Sequence, residues 1–213
     1  MTEVGLEDSD ALPEPPPDLV ARRLPLVWRA AGGRFVRVHR KTDGSVWFGW
    51  DAGTATFRMA TNRFDSPDRR YGVLYVAATR DGAFAESVGR VPRIFRSNGE
   101  LAALRITTLA LTRDIRVVDL HGGAAVGAIG ATGVVGVGPQ SLARRWSQAL
   151  HDHPDMPDGI EYRCRHNSDE LALALFDRVG ETVLAAVAEE DLTSDTNWLS
   201  AMRTRHQVWQ PPS

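Results

Sequence analysis

Residues 63–90 read RFDSPDRRYGVLYVAATRDGAFAESVGR, and this stretch predicts a buried strand followed directly by a helix. Residues 73–78 form a short apolar run that is rich in β-branched and aromatic side chains and has glycines close by on both sides, which is typical of a strand inside a sheet. Beyond the turn, Phe84 and Val88 are four residues apart and define one face of a helix. The stretch thus places a strand and a helix one short turn apart.

Two residues of this stretch could carry chemistry: Tyr75 in the predicted strand and Glu86 in the predicted helix. Either Thr79 or Asp81 could cap that helix. With roughly 3.6 residues per turn, Glu86 lies about 200° from the apolar face, so that it faces solvent or a cleft. Spacing alone favours a surface carboxylate paired with Arg90, an i,i+4 arrangement that contributes only a few tenths of a kcal/mol.

The composition of the whole chain limits the classes of protein it can belong to. Its 213 residues, 43% of them hydrophobic, suit one globular domain that buries roughly 70% of its unfolded surface. The net charge of −2 lacks the basic excess of proteins that bind nucleic acid through phosphates, so no direct nucleic-acid binding is expected. No apolar run approaches the ~20 residues of a membrane span, so we expect no membrane partner.

Cysteine and lysine usage adds two expectations. The single cysteine, Cys164, cannot form an intrachain disulfide, and the N-terminus has no leader-like apolar segment, so we expect a cytoplasmic protein. Lys41 is the only lysine, which makes arginine the common ligand for anions such as phosphate.

The remaining pattern predicts a single α+β domain preceded by a tail. Residues 1–18 combine several prolines with acidic residues, the composition of a disordered Pro-rich tail, and residues 19–213 would form the folded domain. Because strands and helices mix without a strict βαβ alternation, an α+β arrangement is favoured over a doubly wound parallel sheet. Further strands are predicted at 34–39, 106–111, 116–120 and 170–176, and helices at 141–151 and 195–206.

Three motif classes are weak or missing. The glycine-rich residues 121–138 have neither G-K-S/T nor a G-x-G-x-x-G at a strand-to-helix junction, which favours a mobile loop over a phosphate loop. His151 and His153 are two residues apart, but no further ligand lies at metal-binding spacing, so a zinc site is not expected. The G-x-S-x-G of serine hydrolases is absent.

Five short segments together resemble the RES-domain family. They are RVHR at 37–40, RFD at 63–65, LYVA at 74–77, AFAE at 83–86 and DGIEYRCRHN at 158–167. Five pieces in consistent order along residues 35–176 are far more specific than any one of them. Members of the family resemble ADP-ribosyltransferases in fold and include toxins that destroy NAD, usually held inactive by a helix-turn-helix antitoxin. The resemblance therefore implies an ADP-ribosyltransferase-like mixed sheet core with surrounding helices.

The motif residues of the family carry over one by one. Arg37 matches its first arginine, and Arg63 matches the arginine of its R-F turn. Tyr75 matches the tyrosine of the L-Y-x-A strand, and Glu86 matches the glutamate of the A-x-x-E helix. The family usually reads Y-x-S-R-H where this chain has Cys164 in place of the serine. A thiol keeps the size of a hydroxyl but is a much weaker hydrogen-bond partner.

Ser168 is an alternative match to the serine that requires a shifted alignment. An isolated serine before acidic residues more commonly serves as a turn or cap, which ranks Cys164 above Ser168. Cys164 could also be a small, inert, buried residue.

The resemblance implies an enzyme that cleaves the nicotinamide–ribose bond of NAD, with NAD as the substrate and no separate cofactor. Glu86, Arg37 and Tyr75 would be catalytic, with Glu86 stabilising the positive charge that develops on the ribose. The residues that would bind the substrate are Arg37, Arg63, Tyr75 and Cys164, the arginines through its pyrophosphate. The acceptor is left open between water, as in an NAD glycohydrolase, and inorganic phosphate, as in an NAD phosphorylase.

Two alternative functions stay open at this point. The cysteine at position 164 could mark a degenerate RES fold that binds NAD or a partner protein without turnover. The fold would also permit transfer of ADP-ribose to a protein. The family implies a helix-turn-helix antitoxin as partner, and the sequence leaves open whether the chain forms a homo-oligomer.

Overall fold

The computed structural model describes residues 13–51, 56–57, 62–90 and 96–210, which contain ten strands and six α-helices. The strands are β1 (Leu26–Arg29), β2 (Arg34–Arg40), β3 (Trp50–Asp51), β4 (Thr56–Phe57), β5 (Val73–Ala77), β6 (Leu104–Leu111), β7 (Ile115–Asp119), β8 (Gly159–Cys164), β9 (Asn167–Phe176) and β10 (Leu184–Asp191). The helices are α1 (Arg80–Ser87), α2 (Asn98–Ala102), α3 (Gly123–Ala128), α4 (Val134–Val137), α5 (Gln140–His151) and α6 (Thr196–Arg205).

Eight of these strands form one mixed sheet in the order β1-β7-β8-β9-β5-β2-β6-β10, and β3 and β4 form a separate two-stranded ribbon. Within the large sheet β7 and β8 run parallel, and the other recorded pairs are antiparallel. The order places β9 between β5 and β8, so the C-terminal third of the chain is inserted beside the strand of the 63–90 stretch. The predicted α+β class is confirmed.

Strand β5 shows how the period of two along a strand builds a core on both faces of this sheet. Leu74 and Val76 are buried in a cluster on one face. Tyr75 and Ala77 contact a cluster on the other face, which also contains the fully buried Trp146 of α5. Both faces of β5 are therefore covered, as the continuous apolar run predicts.

The pairing between the neighbouring strands β2 and β5 is very short. These strands pair only at Val36 and Ala77, whereas β2 pairs with β6 along its whole length from Arg34 to Arg40. Helix α1 packs against β2, β5 and β9 on the face that carries Ala77. Helix α1 therefore packs over the place where β2 and β5 share only one pair of residues.

The strands and helices predicted from the pattern are found with boundaries shifted by a few residues. The predicted strand 170–176 is longer than expected, because β9 already begins at Asn167. Thr79 caps α1, with its hydroxyl accepting a hydrogen bond from the amide of Gly82 at 3.0 Å. No helix in the described ranges is both long and apolar enough to cross a membrane.

The prediction of a mobile loop at 121–138 is wrong. This segment contains α3 and α4, and Val126, Ile129 and Val135 are buried in the core. Val126 and the C-cap residue Ile129 are three residues apart and so fall on one side of α3, while Val135 is buried from the separate helix α4.

The predicted tail of residues 1–18 falls partly outside the described residues, which begin at Pro13. Residues 13–18 contact the domain rather than extending away from it. The indole of Trp146 donates to the carbonyl of Pro13 at 2.6 Å, and Arg145 forms an ion pair with Glu14. The contacts with the domain therefore begin before residue 19.

Gly159, at the start of β8, lies so close to the backbone of β9 that there is no room for a side chain. A Cβ at this position would collide with the carbonyl oxygen of Ala174 and lie 2.9 Å from the Cα of Leu175, both of them backbone atoms of β9. We expect Gly159→Ala to lower the free energy of unfolding by at least about 3 kcal/mol, because a backbone cannot move aside as a side chain can. Urea unfolding followed by circular dichroism measures this loss.

Gly127→Ala is the matched control for this substitution. Gly127 lies within α3, and a Cβ there meets nothing within 4 Å. Alanine in place of a helical glycine should leave stability unchanged or raise it by up to about 1 kcal/mol. Equal stability of the two variants would contradict the packing role of Gly159.

Candidate active site

A cavity of about 490 Å³ lies where the C-terminal end of α1, the turn before β5 and the end of β8 meet. Its size falls within the roughly 300–1,000 Å³ of pockets that hold small molecules. The residues that line it are Asn62, Arg63, Tyr75, Glu86, Ser87, Arg90, Arg96, Gln140, Tyr162, Arg165 and His166. Among these described residues, four arginines surround one carboxylate.

A larger groove, of about 820 Å³, lies between α2, α6 and the C-terminal residues. Arg203 is the one charged group among its described lining residues, so this groove offers no acid–base chemistry. Within the described ranges, no group of three or more His, Cys, Asp or Glu side chains is placed to hold a metal ion. The cavity around Glu86 is therefore the stronger candidate for an active site.

Glu86 points into the cavity because the preceding turn of α1 is packed into the core. Ala83, Phe84 and Ala85 are all buried, which leaves Glu86 at the edge of the packed face. Its Oε2 accepts a hydrogen bond from the hydroxyl of Tyr162 at 3.0 Å, and its Oε1 accepts one from the backbone amide of Arg165 at 3.1 Å. Both carboxylate oxygens are thus held by groups from the end of β8.

Burial raises the pKa of Glu86, and this effect outweighs the hydrogen bonds from Tyr162 and Arg165 and the nearby arginines, all of which lower it. The surface pair with Arg90 that spacing alone favours is not the main contact. Arg90 instead donates to the side-chain oxygen of Asn62 at 2.7 Å. A carboxyl group with a raised pKa in a cleft is typical of a functional site.

Tyr75 holds the turn that carries Arg63. Its hydroxyl donates to Oδ1 of Asp65 at 2.9 Å and accepts from the amide of Phe64 at 2.9 Å. Burial is the main cause that raises the pKa of Tyr75 well above its ordinary value, so the phenol stays protonated. Tyr75 is therefore a lining residue of the cavity whose hydroxyl is hydrogen-bonded to the neighbouring turn.

Arg63 is buried and presents an unused donor. Its Nη1 donates to the carbonyl of Gly138 at 2.8 Å, and its Nη2 has no hydrogen-bond partner among the described residues. Burial is the first cause that lowers the pKa of Arg63, and the charge of Arg165 adds to it. A buried donor without a partner costs free energy, which an anionic ligand would recover.

Arg37 is not brought to this cavity. Val36 pairs with Ala77, which shares a face with Tyr75, so the alternation along β2 places Arg37 on the opposite face of the sheet. Its Nη1 donates to the carbonyl of Ser45 at 2.8 Å, and burial lowers the pKa of Arg37 to about 10.

Arg37 lines a second cavity, of about 720 Å³. The two cavities share Ser87 and Arg96 as lining residues. Arg37 is thus a neighbour of the site around Glu86 and not part of its wall.

Cys164 is not part of the cavity wall either. It is buried in the same core cluster as Tyr162, and burial raises the pKa of its thiol. Ser168 is exposed, and its carbonyl accepts a hydrogen bond from Arg163. Neither candidate for the family's serine lines the cavity that holds Glu86.

Three lining residues near the end of β8 were not assigned roles from the sequence: Tyr162, Arg165 and His166. All three lie in the 158–167 segment that carries the family resemblance. That resemblance is the sequence signal that could have identified them as site residues. His166 has a lowered pKa, first through burial and then through Arg165, so it is neutral at neutral pH. Which of these side chains meets Glu86 depends on the strand order.

The comparisons with known proteins agree with this architecture. A model of the RES domain matches residues 26–196 of the chain. A search of curated proteins finds no match. Among solved structures, a chain of the crystal structure of the M. tuberculosis MbcT–MbcA toxin–antitoxin complex is similar, with a TM-score of 0.63 and 17% identity, covering 89% of this chain and 98% of that one. The TM-score shows that the two chains share a fold. The family model covers four fifths of this chain and includes the segments that form the cavity, so the chain belongs to the RES-domain family.

Proposed function

We propose that this protein is a toxin-type enzyme that cleaves the bond between nicotinamide and ribose in NAD. The observation that carries the proposal is Glu86, a carboxylate fixed through both oxygens in a cavity that four arginines line. NAD offers a pyrophosphate to the arginines and a ribose carbon that becomes cationic when nicotinamide leaves. Membership of the RES-domain family supports the same substrate.

In the proposed reaction, the bond between C1′ of the ribose and the ring nitrogen of nicotinamide breaks. The electron pair of that bond leaves with nicotinamide and neutralises its cationic ring, so no general acid is needed. Glu86 stabilises the oxocarbenium-like centre. An oxygen of water or inorganic phosphate then bonds to C1′, giving ADP-ribose or its 1-phosphate, and a proton from water passes to solvent.

Arg63 and Tyr75 would have distinct roles in this reaction. The free Nη2 of Arg63 would bind a phosphate oxygen of NAD, and the ring of Tyr75 would wall the nicotinamide pocket. Arg37 would act only through a part of the substrate that extends into the second cavity.

A helix-turn-helix antitoxin is part of the proposal. The similar solved structure is a toxin–antitoxin complex, and membership of the RES-domain family supports a partner of the same kind for this chain.

The decisive assay follows NAD and free nicotinamide by chromatography after incubation with purified protein, with and without inorganic phosphate. Nicotinamide release that requires phosphate identifies a phosphorylase, and release without phosphate identifies a glycohydrolase. Mass spectrometry of treated lysate tests for ADP-ribose on proteins. NAD that stays intact under all conditions while calorimetry shows binding would favour the degenerate binding fold.

Cys164→Ser tests whether the family's usual serine matters here. Because the side chain is buried away from the cavity wall, we expect the rate of NAD consumption to change by less than about threefold. Burying a hydroxyl in place of a thiol should lower the free energy of unfolding by roughly 1–3 kcal/mol if it finds no partner. A gain in rate of tenfold or more would place residue 164 in the reaction.

A further inference from the structure

We infer that Tyr162 is a positioning residue that holds the Glu86 carboxylate in its reactive orientation, with the backbone amide of Arg165 as its second support. The inference rests on the proposed function and adds to it a residue that the sequence did not single out. The hydroxyl of Tyr162 donates to Oε2 of Glu86 at 3.0 Å, and the amide of Arg165 donates to Oε1 at 3.1 Å. Two donors from one strand end fix the plane of the carboxylate.

The ring of Tyr162 is itself fixed before any ligand binds. Tyr162 is 2% exposed, and its ring meets that of Phe64 edge to face with centroids 4.8 Å apart. Phe64 belongs to the turn that Tyr75 holds through the backbone amide of Phe64. The Tyr162 hydroxyl therefore has little freedom to turn away from Glu86.

The hydrogen bond from Tyr162 favours the charged form of Glu86, because a phenol hydroxyl donates more strongly to an ionised carboxylate than to a neutral carboxyl group. Burial first, and then the charge of Glu86, raise the pKa of Tyr162 well above its ordinary value, so this donor keeps its proton wherever the enzyme works. The bond thus opposes the desolvation that raises the pKa of Glu86. Tyr162 would keep Glu86 ionised at a lower pH than burial alone allows.

Other ionisable groups also face Glu86 and must be separated from Tyr162 in any pH experiment. Arg90, three residues beyond the end of α1, and His166 both line the cavity, and His166 has a lowered pKa and titrates in the acidic range. A rate profile alone would mix these titrations, so the carboxyl group has to be observed directly. The other ionisable groups around it are Arg63, Tyr75, Arg96, Cys164 and Arg165.

Tyr162→Phe is the test, because it removes only the hydroxyl. The pKa of the Glu86 carboxyl is measured by NMR on the NAD-free protein labelled with ¹³C at glutamate Cδ, and steady-state NAD consumption is measured in parallel. We expect the carboxyl pKa to rise by about one unit, which moves the acidic limb of the rate profile to higher pH. We also expect kcat above that limb to fall by at least about tenfold while KM stays within about threefold, because the lost interaction orients a catalytic group.

Tyr71→Phe is the matched control. Tyr71 is 1% exposed and its hydroxyl donates to Ser147 at 2.9 Å, so this variant loses an equally buried hydrogen bond away from the cavity. It should leave the Glu86 pKa and kcat unchanged. If Tyr162→Phe does not fold, the unaltered protein labelled at tyrosine Cζ serves instead, and the Tyr162 signal should shift with the same midpoint as the Glu86 carboxyl.

In Tyr162→Phe, an unchanged Glu86 pKa, or a raised pKa with an unchanged kcat, overturns the positioning role. In the protein labelled at tyrosine, a Tyr162 signal that does not shift as Glu86 titrates overturns it too. The carboxyl titration needs no NAD and no turnover. A wild-type protein that leaves NAD intact would therefore end the proposed function, whereas a Glu86 pKa that does not respond to Tyr162 would end this inference separately.

Discussion

Glu86→Gln should lower the rate of NAD consumption at least about a hundredfold, because the neutral amide cannot stabilise a developing cation on the ribose. Gln is nearly isosteric with Glu and can still accept from the amide of Arg165, so the cavity should keep its shape. Nicotinamide release measured under saturating NAD gives the comparison. Full activity of this variant would remove Glu86 from the mechanism.

Glu181→Gln is the control for the loss of charge. Glu181 is exposed in a short 3-10 helix and does not line the cavity, so its replacement should leave the rate unchanged.

Stability offers a second measurement on the same Glu86 variant. The pKa of Glu86 is raised above its ordinary 4.5, so folding favours the protonated form. The stabilising contribution of this group is present below pH 4.5 and is lost as the pH rises through the higher folded-state pKa. At neutral pH the ionised Glu86 therefore destabilises the fold, and Glu86→Gln should have the same Tm as the wild type or a higher one. A lower rate together with a lower Tm at neutral pH would point to structural damage instead.

Arg63→Gln should have the second largest effect, a loss of NAD affinity of roughly 10- to 100-fold. The buried Nη2 of Arg63 has no hydrogen-bond partner among the described residues. If it binds a phosphate oxygen of NAD as proposed, a hydrogen bond to a charged group contributes about 1.5–3 kcal/mol. Calorimetry with NAD in the Glu86→Gln background measures this binding without turnover. Unchanged affinity would show that Arg63 serves the fold alone, through its bond to the carbonyl of Gly138.

Arg34→Gln is the matched control for the loss of a guanidinium. Arg34 is exposed at the start of β2 and does not line the cavity. We expect NAD affinity within about twofold of the Glu86→Gln background, because an exposed charge outside the site is screened by salt.

Arg37 and Glu86 line different cavities. Arg37 lies across the sheet from Tyr75, and the lining residues that the two cavities share within the described ranges are Ser87 and Arg96. The resemblance predicts a role for Arg37 in binding NAD, and because Arg37 lines the other cavity, we expect any such role to involve a part of the substrate distant from Glu86.

The sequence by itself determined the local elements and the family. The apolar alternation at 34–39, the continuous run at 73–78 and the spacing of Phe84 and Val88 predict β2, β5 and α1, because periods of two and 3.6 residues depend only on neighbours along the chain. The five short segments predict the RES-domain family, and the family model that matches residues 26–196 confirms that prediction.

Only the tertiary structure decided which of these residues meet. Tyr162 lies 76 residues from Glu86 in the chain, and they touch because β9 places β8 near β5 on the face that α1 covers. The same sheet order buries Cys164 in the core, and the alternation along β2 turns Arg37 to the other face. Local periodicity contains no information about strand order, since that order is set by burying both faces of the sheet at once. For this reason the sequence predicted Glu86 as a candidate, while its partners and its raised pKa follow from the fold alone.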